Sequence, residues 1–189
     1  WETGISKSII KYANEMSEKL IDCFNTIHPN IKPRVFEIAS NDGTLLNVFK
    51  SKGCEILGID PAKNIAKKAN ERSIQTLPKF FDHEIAKRII SDYGQWDICI
   101  ARNVLAHVME LHSLVKGIKT ILNENGFAVI EVPHLQTMFQ DLQYDQVFHE
   151  HIGYHSLDSI KRLFTMYNME IFDVDSFWIH GGSLRVFLQ

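Results

Sequence analysis

The sequence predicts a three-layer α/β domain around a mainly parallel sheet, and three observations carry that prediction. Short apolar strands alternate with helices from Arg34 to Val132, the rhythm of right-handed crossovers between parallel strands. The first strand, in Arg34-Val35-Phe36-Glu37-Ile38, runs into a tight turn of small residues, Ala39-Ser40-Asn41-Asp42-Gly43. A helix then leads to a second apolar strand that closes on Asp60. In the C-terminal third, two strands follow one another without a helix between them, so they are most simply antiparallel.

Each element has its own signal. Ile9, Ile10, Ala13, Met16, Leu20, Ile21 and Phe24 recur at spacings of three and four, which predicts an amphipathic helix from about Ser6 to Ile27. Pro29 and Pro33 bracket a loop before the strand Val35–Ile38. A helix from about Thr44 to Lys52 stops at Gly53, and the second strand, Ile56–Asp60, precedes a helix with Pro61 in its first turn that runs through Glu71. A weaker third strand lies near Ile74–Leu77, a helix spans about His83–Tyr93, and Trp96–Ala101 is a buried fourth strand. A helix near His112–Leu122 ends in the turn signal Asn123-Glu124-Asn125-Gly126, ahead of a fifth strand, Phe127–Val132. A helix over about Leu157–Met166 then precedes the two final strands, Glu170–Val174 and Ser183–Leu188, joined through Gly181-Gly182.

At 189 residues the chain suits one domain, residues 1–189, with residues 1–32 as an N-terminal helical segment. A net charge of -3 gives no global case for nucleic acid. No apolar run approaches a membrane span, and the N-terminus lacks the apolar centre of a signal peptide. Cys23, Cys54 and Cys99 are far apart and odd in number, which rules out a fully paired intrachain framework. Cys54 and Cys99 lie in or beside apolar strands, so buried free thiols are expected there, in a reducing, cytoplasmic setting. The start at Trp1 and the stop within an apolar strand at Gln189 suggest a piece of a longer protein.

In an open α/β sheet, the turn after the first strand leaves room for a cofactor. An acid closing the second strand is placed to take both hydroxyls of a ribose, so an adenosine-containing cofactor is expected. A dinucleotide turn needs three glycines, whereas the matching positions here hold Ala39, Asn41 and Asp42-Gly43. Asp42 stands where a pyrophosphate wants bare backbone donors; an acid there repels a diphosphate and tolerates a cationic group. Together with the final strand pair, this favours S-adenosylmethionine, which has no phosphate and carries a sulfonium and an ammonium. An NAD-dependent dehydrogenase is disfavoured for the same reason. Taken singly, Asp60 also reads as a helix cap, and Glu37 as an acid paired with the N-terminal helix.

From about Pro33 to its end, the chain resembles the class I S-adenosylmethionine-dependent methyltransferases. The resemblance implies a Rossmann-like, mainly parallel seven-stranded sheet with a terminal antiparallel hairpin. Glu37-Ile38-Ala39-Ser40-Asn41-Asp42-Gly43 is similar to the family's first motif, with Ala39 in place of its leading glycine. By resemblance, backbone around Ala39 and Ser40 lies against the methionine half of the cofactor. Asp60, followed by Pro61, is the ribose-binding acid, Phe80 and Phe81 fall at the adenine pocket, and Ala101-Arg102-Asn103 form the floor under the methionine end.

A second informative stretch, Gln146-Val147-Phe148-His149-Glu150-His151-Ile152-Gly153-Tyr154-His155-Ser156, follows the fifth strand. Asn103-Val104-Leu105-Ala106-His107-Val108 follows the fourth, so both are expected in one cleft. With His180-Gly181-Gly182-Ser183-Leu184-Arg185, they resemble a narrower group, the sugar C-methyltransferases of deoxysugar pathways, which act on nucleotide-linked keto sugars. Methylation at carbon requires removal of a proton next to a ketone, a task suited to histidine with its ordinary pKa near 6.5. The expected roles are His151 as general base, Glu150 orienting it or contacting the sugar, and His107 hydrogen-bonding the carbonyl oxygen to stabilise the enolate. Phe148, His149, Tyr154 and Arg185 are the expected substrate contacts. The group usually has tyrosine where this chain has Phe148, which removes a hydroxyl. It also has a cysteine-rich zinc-binding segment before this core and a further domain after it, neither of which is in this sequence. His149, Glu150, His151 and His155 are suitable ligand types, but their spacing matches no standard metal site, so no metal is expected. The expected partner is a small-molecule acceptor, with no nucleic acid and no membrane. The alternatives are a methyltransferase for another small molecule and a catalytically inactive S-adenosylmethionine-binding domain.

Overall fold

Strand and helix alternate as the sequence pattern requires. The computed structural model describes residues 7–177 and 181–189. In chain order the elements are α1 (Lys7–Asn25), β1 (Arg34–Ile38), α2 (Thr44–Ser51), β2 (Glu55–Ile59), α3 (Lys63–Glu71), β3 (Thr76–Leu77), α4 (His83–Tyr93), β4 (Trp96–Arg102), α5 (Leu111–Ile121), β5 (Leu122–Pro133), α6 (Leu135–Gln140), α7 (Leu157–Thr165), β6 (Ile171–Phe177) and β7 (Ser183–Leu188). The strands form a seven-stranded mixed sheet, in the order β3-β2-β1-β4-β5-β7-β6, flanked by helices. The expected terminal antiparallel pair is present, with β7 antiparallel to both β5 and β6. The chain forms two compact units, one of residues up to Phe81 with Trp96–Ile98, the other of Asp82–Gln95 with Cys99–Gln189.

In the first unit, α1 buries Ala13, Met16, Leu20, Ile21 and Phe24 from the predicted stripe and packs on α2. Ser6, the expected start of that helix, lies outside the described residues. Arg34 opens β1: its guanidinium forks onto Glu55 at 2.7 and 2.8 Å and lies 4.4 Å from the centre of the Trp96 ring. β1 and β2 run parallel in the register Arg34↔Glu55 through Ile38↔Ile59, so the two strands end level. That register brings the turn at Ala39 beside Asp60.

In the second unit, the Asp82 carboxylate caps α4 by accepting from the Ile85 amide at 2.7 Å, and Gly94 ends the helix at φ 78°. The strand β7 is buried at every position, while β6 carries an exposed Asp173 and a half-buried Asp175; charge on an edge strand discourages edge pairing. After β4, a 3-10 turn over Leu105–His107 presents the Ala106 carbonyl, which accepts from the Ile152 and Gly153 amides at 2.8 and 3.2 Å.

Three expectations need correction. Pro61 is not in the first turn of α3, because the helix begins at Lys63 and Asp60 Oδ1 accepts from the Ala62 amide, closing a turn through the proline. Strand β5 begins at Leu122 rather than Phe127; the turn chemistry survives locally, as the Asn125 amide donates to the Asn123 side chain at 3.1 Å. Helix α6 and the 3-10 turn Tyr144–Gln146 have no counterpart in the sequence reading, since both are shorter than two helical repeats of apolar pattern.

Cys54 and Cys99 are buried free thiols, and burial pushes both above the ordinary thiol range, so they are poor nucleophiles. Among the described residues, no helix is long and apolar enough to cross a membrane.

Candidate active site

The turn after β1 is built from left-handed residues. Ala39, Asn41 and Gly43 have φ of 53°, 52° and 75°, so the backbone reverses sharply at the end of the strand. Ala39 is exposed in this conformation, which costs an L-residue about 1–2 kcal/mol. Replacing it with glycine removes that strain and returns about 0.4–1 kcal/mol through the looser unfolded chain. Ala39→Gly is therefore expected to raise the urea midpoint by the equivalent of about 1 kcal/mol or less; a lower midpoint would show that the methyl group packs better than its backbone strains.

Asp60 is buried, and both of its oxygens are oriented by backbone. Oδ2 accepts from the Asn41 amide and Oδ1 from the Ala62 amide, each at 2.9 Å. Each carboxylate oxygen keeps a lone pair beyond these bonds, so the group suits a vicinal diol. Asp42 is buried too, and its carboxylate accepts from the Thr44 hydroxyl at 2.7 Å and amide at 3.3 Å, with Arg72 at 3.5 Å. The structure thus places the Asp42 carboxylate against the first residue of α2. A negative charge on the first helical amide disfavours a phosphate there, so the turn fits a phosphate-free nucleoside cofactor. The Ser40 hydroxyl is buried and finds no partner among the described residues. A Cβ at Gly58 would stand 2.3 Å from it, so glycine on β2 is what lets Ser40 sit beneath the turn. Glu37 is fully buried on β1, facing Gly58 in register. Phe81 packs on Phe36 with centroids 5.4 Å apart, while Phe80 is 78% exposed, an aromatic face with room for a planar ring.

In the second unit, β4 ends on buried Ala101, half-buried Arg102 and Asn103. Asn103 is left-handed at φ 53° and its amide donates to the Glu131 carbonyl at 2.8 Å. Its side-chain Oδ1 is buried without a partner among the described residues.

Anchoring of Ile152 and Gly153 on Ala106 brings His107 and His151 together, with ring centroids 4.9 Å apart. Both rings use Nδ1 on a backbone carbonyl. His107 Nδ1 lies 2.8 Å from the Glu150 carbonyl, and His151 Nδ1 lies 3.1 Å from the Gln146 carbonyl. A carbonyl only accepts, so Nδ1 carries the hydrogen in each ring, and in the neutral form Nε2 presents a lone pair. Burial lowers the His151 pKa from its ordinary value; the Gln146 carbonyl opposes this, and neighbouring His107 adds to the lowering. His151 is therefore a neutral acceptor at pH 7, the form a general base needs. His107 becomes a donor through Nε2 only as the imidazolium.

The group that orients His151 is the Gln146 carbonyl rather than the Glu150 carboxylate. The His151 amide donates to the Phe148 carbonyl at 3.0 Å, a turn that folds the ring back over the preceding segment and leaves the Glu150 side chain exposed. Gln146 is the functional position that sequence reasoning missed, because its contribution comes from backbone and leaves no side-chain signature. The Phe148 ring lies 4.0 Å from that of His151, and Tyr154 stands edge-on at 5.9 Å with its hydroxyl 3.5 Å from the same Gln146 carbonyl. His149 is exposed. Arg185, an expected substrate contact, is occupied within the sheet. It is buried on β7 between its register partners Glu131 on β5 and Asp175 on β6, and pairs with both. His180 of the same motif lies outside the described residues. Among the described residues, no group of three or more His, Cys, Asp or Glu is arranged to hold a metal ion.

Comparison with known proteins agrees with this architecture. C-methyltransferase NovU of Streptomyces niveus is 35% identical over 170 residues, which cover 89% of this chain and 40% of that protein; the chain thus spans less than half the length of this relative. Among solved structures, magnesium protoporphyrin IX methyltransferase of Synechocystis PCC 6803 with bound SAH superposes with a TM-score of 0.68 at 11% identity, over 95% of this chain and 84% of that one. The same enzyme with bound SAM gives 0.64 at 10% identity, over 93% and 78%. The PH0226 protein of Pyrococcus horikoshii OT3 gives 0.70 at 14% identity, over 99% and 93%. At these identities the superpositions speak for the fold alone, whereas the family model described as a methyltransferase domain matches residues 11–174, most of the sequence. On that match, the chain belongs to the methyltransferase-domain family.

Proposed function

We propose that this chain is the methyltransferase core of an enzyme that methylates carbon next to a ketone in a small molecule of the nucleotide-linked keto sugar class. The observation that carries the reading is the His107–His151 pair, two imidazoles 4.9 Å apart whose Nδ1 atoms are both held by backbone. S-adenosylmethionine is the methyl donor; it supplies a methyl carbon that the enolate carbon attacks, with sulfur keeping the C–S electron pair. The backbone of Ala39–Gly43 and the Asp60 carboxylate would hold it, with Phe80 and Phe81 beside the adenine.

His151 Nε2 takes the proton from the carbon adjacent to the carbonyl, and the C–H electron pair moves into the carbonyl to form an enolate. His107, as the imidazolium, donates through Nε2 to the enolate oxygen, a fixed donor aimed at developing charge. Tyr154 and Phe148 flank the base and limit water around it. Similarity to a relative named as a C-methyltransferase supports reaction at carbon, and the motifs around His107 and His151 support the sugar class.

The deciding experiment supplies this chain with methyl-labelled S-adenosylmethionine and nucleotide-linked keto sugars and locates the label by NMR. A labelled methyl bonded to carbon next to the original ketone is expected. A label on oxygen or nitrogen would overturn the enolate reading and leave the methyltransferase assignment intact.

A further inference from the structure

The segment between β5 and α7 forms an open, mostly apolar groove of about 370 Å³, within the size range of small-molecule sites. Leu135, Phe139, Leu142, Tyr144, Val147 and Tyr154 supply its apolar walls and Gln143 a neutral amide, and among the described residues no charged side chain lines it. Four of them are large and strongly exposed, Phe139 at 73%, Leu142 at 65%, Tyr144 at 77% and Val147 at 65%, a clustering that marks a binding surface more than a core. Leu142 also has φ 51°. A bulky side chain held in the left-handed region is an outlier of the kind that gathers at ligand sites.

The groove adjoins the base through one shared side chain. Tyr154 is a wall of the groove and stands edge-on to the His151 ring at 5.9 Å. Tyr144 and Val147 flank Gln146, whose carbonyl holds His151 Nδ1, and the Val147 amide closes the turn onto the Tyr144 carbonyl at 3.1 Å.

We infer that this groove takes a compact, uncharged and weakly polar part of the methyl acceptor, the side of the keto-sugar unit that faces away from its nucleotide. The inference rests on the reading of His151 as the base, which places the reacting carbon beside Tyr154. A group seated against Tyr144 and Val147 also steadies the turn that aims the base, so it raises the turnover rate as well as the affinity.

The test uses three probes: 4-phenyl-2-butanone, 2-butanone, and the non-exchanging 4-phenyl-2-butanol. Leu142→Asp is the variant, since aspartate tolerates a left-handed backbone better than leucine. Saturation-transfer NMR is expected to show 4-phenyl-2-butanol bound to the wild type at Tyr144 and Tyr154, with at least tenfold weaker binding to the variant. Deuterium exchange next to the ketone is expected to be at least tenfold faster for 4-phenyl-2-butanone than for 2-butanone. That advantage should vanish in Leu142→Asp, while exchange of 2-butanone is unchanged. Equal binding of the alcohol to wild type and variant overturns the groove assignment, whatever the exchange rates. Absence of exchange in both ketones, with the alcohol bound and then lost in the variant, overturns the assignment of the base and leaves the groove in place.

Discussion

His151→Ala is expected to slow proton exchange next to the ketone of the acceptor by roughly 10²–10⁴-fold, the usual contribution of a positioned general base. Affinity for S-adenosylmethionine should not change. The expectation follows from the tautomer: the Gln146 carbonyl takes the Nδ1 hydrogen and leaves Nε2 as the acceptor. Because burial lowers the His151 pKa, the neutral, active form persists to lower pH than for an ordinary histidine. The acid limb of the pH–rate profile should therefore lie below about 6.5, with activity lost as pH falls through it. His107 contributes to that lowering, so His107→Gln should move the limb upward as well as reduce the rate. Exchange at the wild-type rate in His151→Ala, or a limb that ignores the His107 substitution, would remove the pair from the mechanism.

Arg185→Met is expected to produce the largest loss of stability. Arg185 is 7% exposed and Glu131 4% exposed, and the guanidinium pairs with Glu131 and Asp175 across three adjacent strands. Removing one partner of a buried pair leaves the other charged and desolvated, at a cost of about 3–5 kcal/mol. For a chain of this length, that corresponds to a melting temperature lower by roughly 10 °C. Arg185→Lys keeps the charge and should lose less, because only the fork geometry goes. The substrate-contact role drawn from the His-Gly-Gly-Ser-Leu-Arg resemblance makes the opposite forecast, reduced activity at unchanged melting temperature, so a thermal scan with an activity assay separates the two.

The contrast between these two residues shows what was legible in advance. His107 and His151 were expected in one cleft because each follows the carboxyl end of a strand, a position that element order alone assigns. The pairing of Arg185 was not legible because its partner Glu131 is 54 positions away and becomes its neighbour only through the antiparallel register of β5 and β7. The contacts of Asp42 were not legible for a local reason: the left-handed residues around it turn its carboxylate onto Thr44. The groove beside α6 left no trace in the pattern, since its apolar residues lie in turns too short to show a period.

The sequence by itself determined the alternation of strand and helix, the final antiparallel pair, the positions of Ala39 and Asp60 at strand ends, and those of His107 and His151 in the segments that follow β4 and β5. Those features follow from hydrophobic period and turn chemistry, which act over a few residues. Only the tertiary structure decided which nitrogen of each histidine carries the hydrogen, which acid pairs with Arg185, and what orients the base. Those depend on backbone carbonyls and strand register, which bring together groups that no local pattern relates.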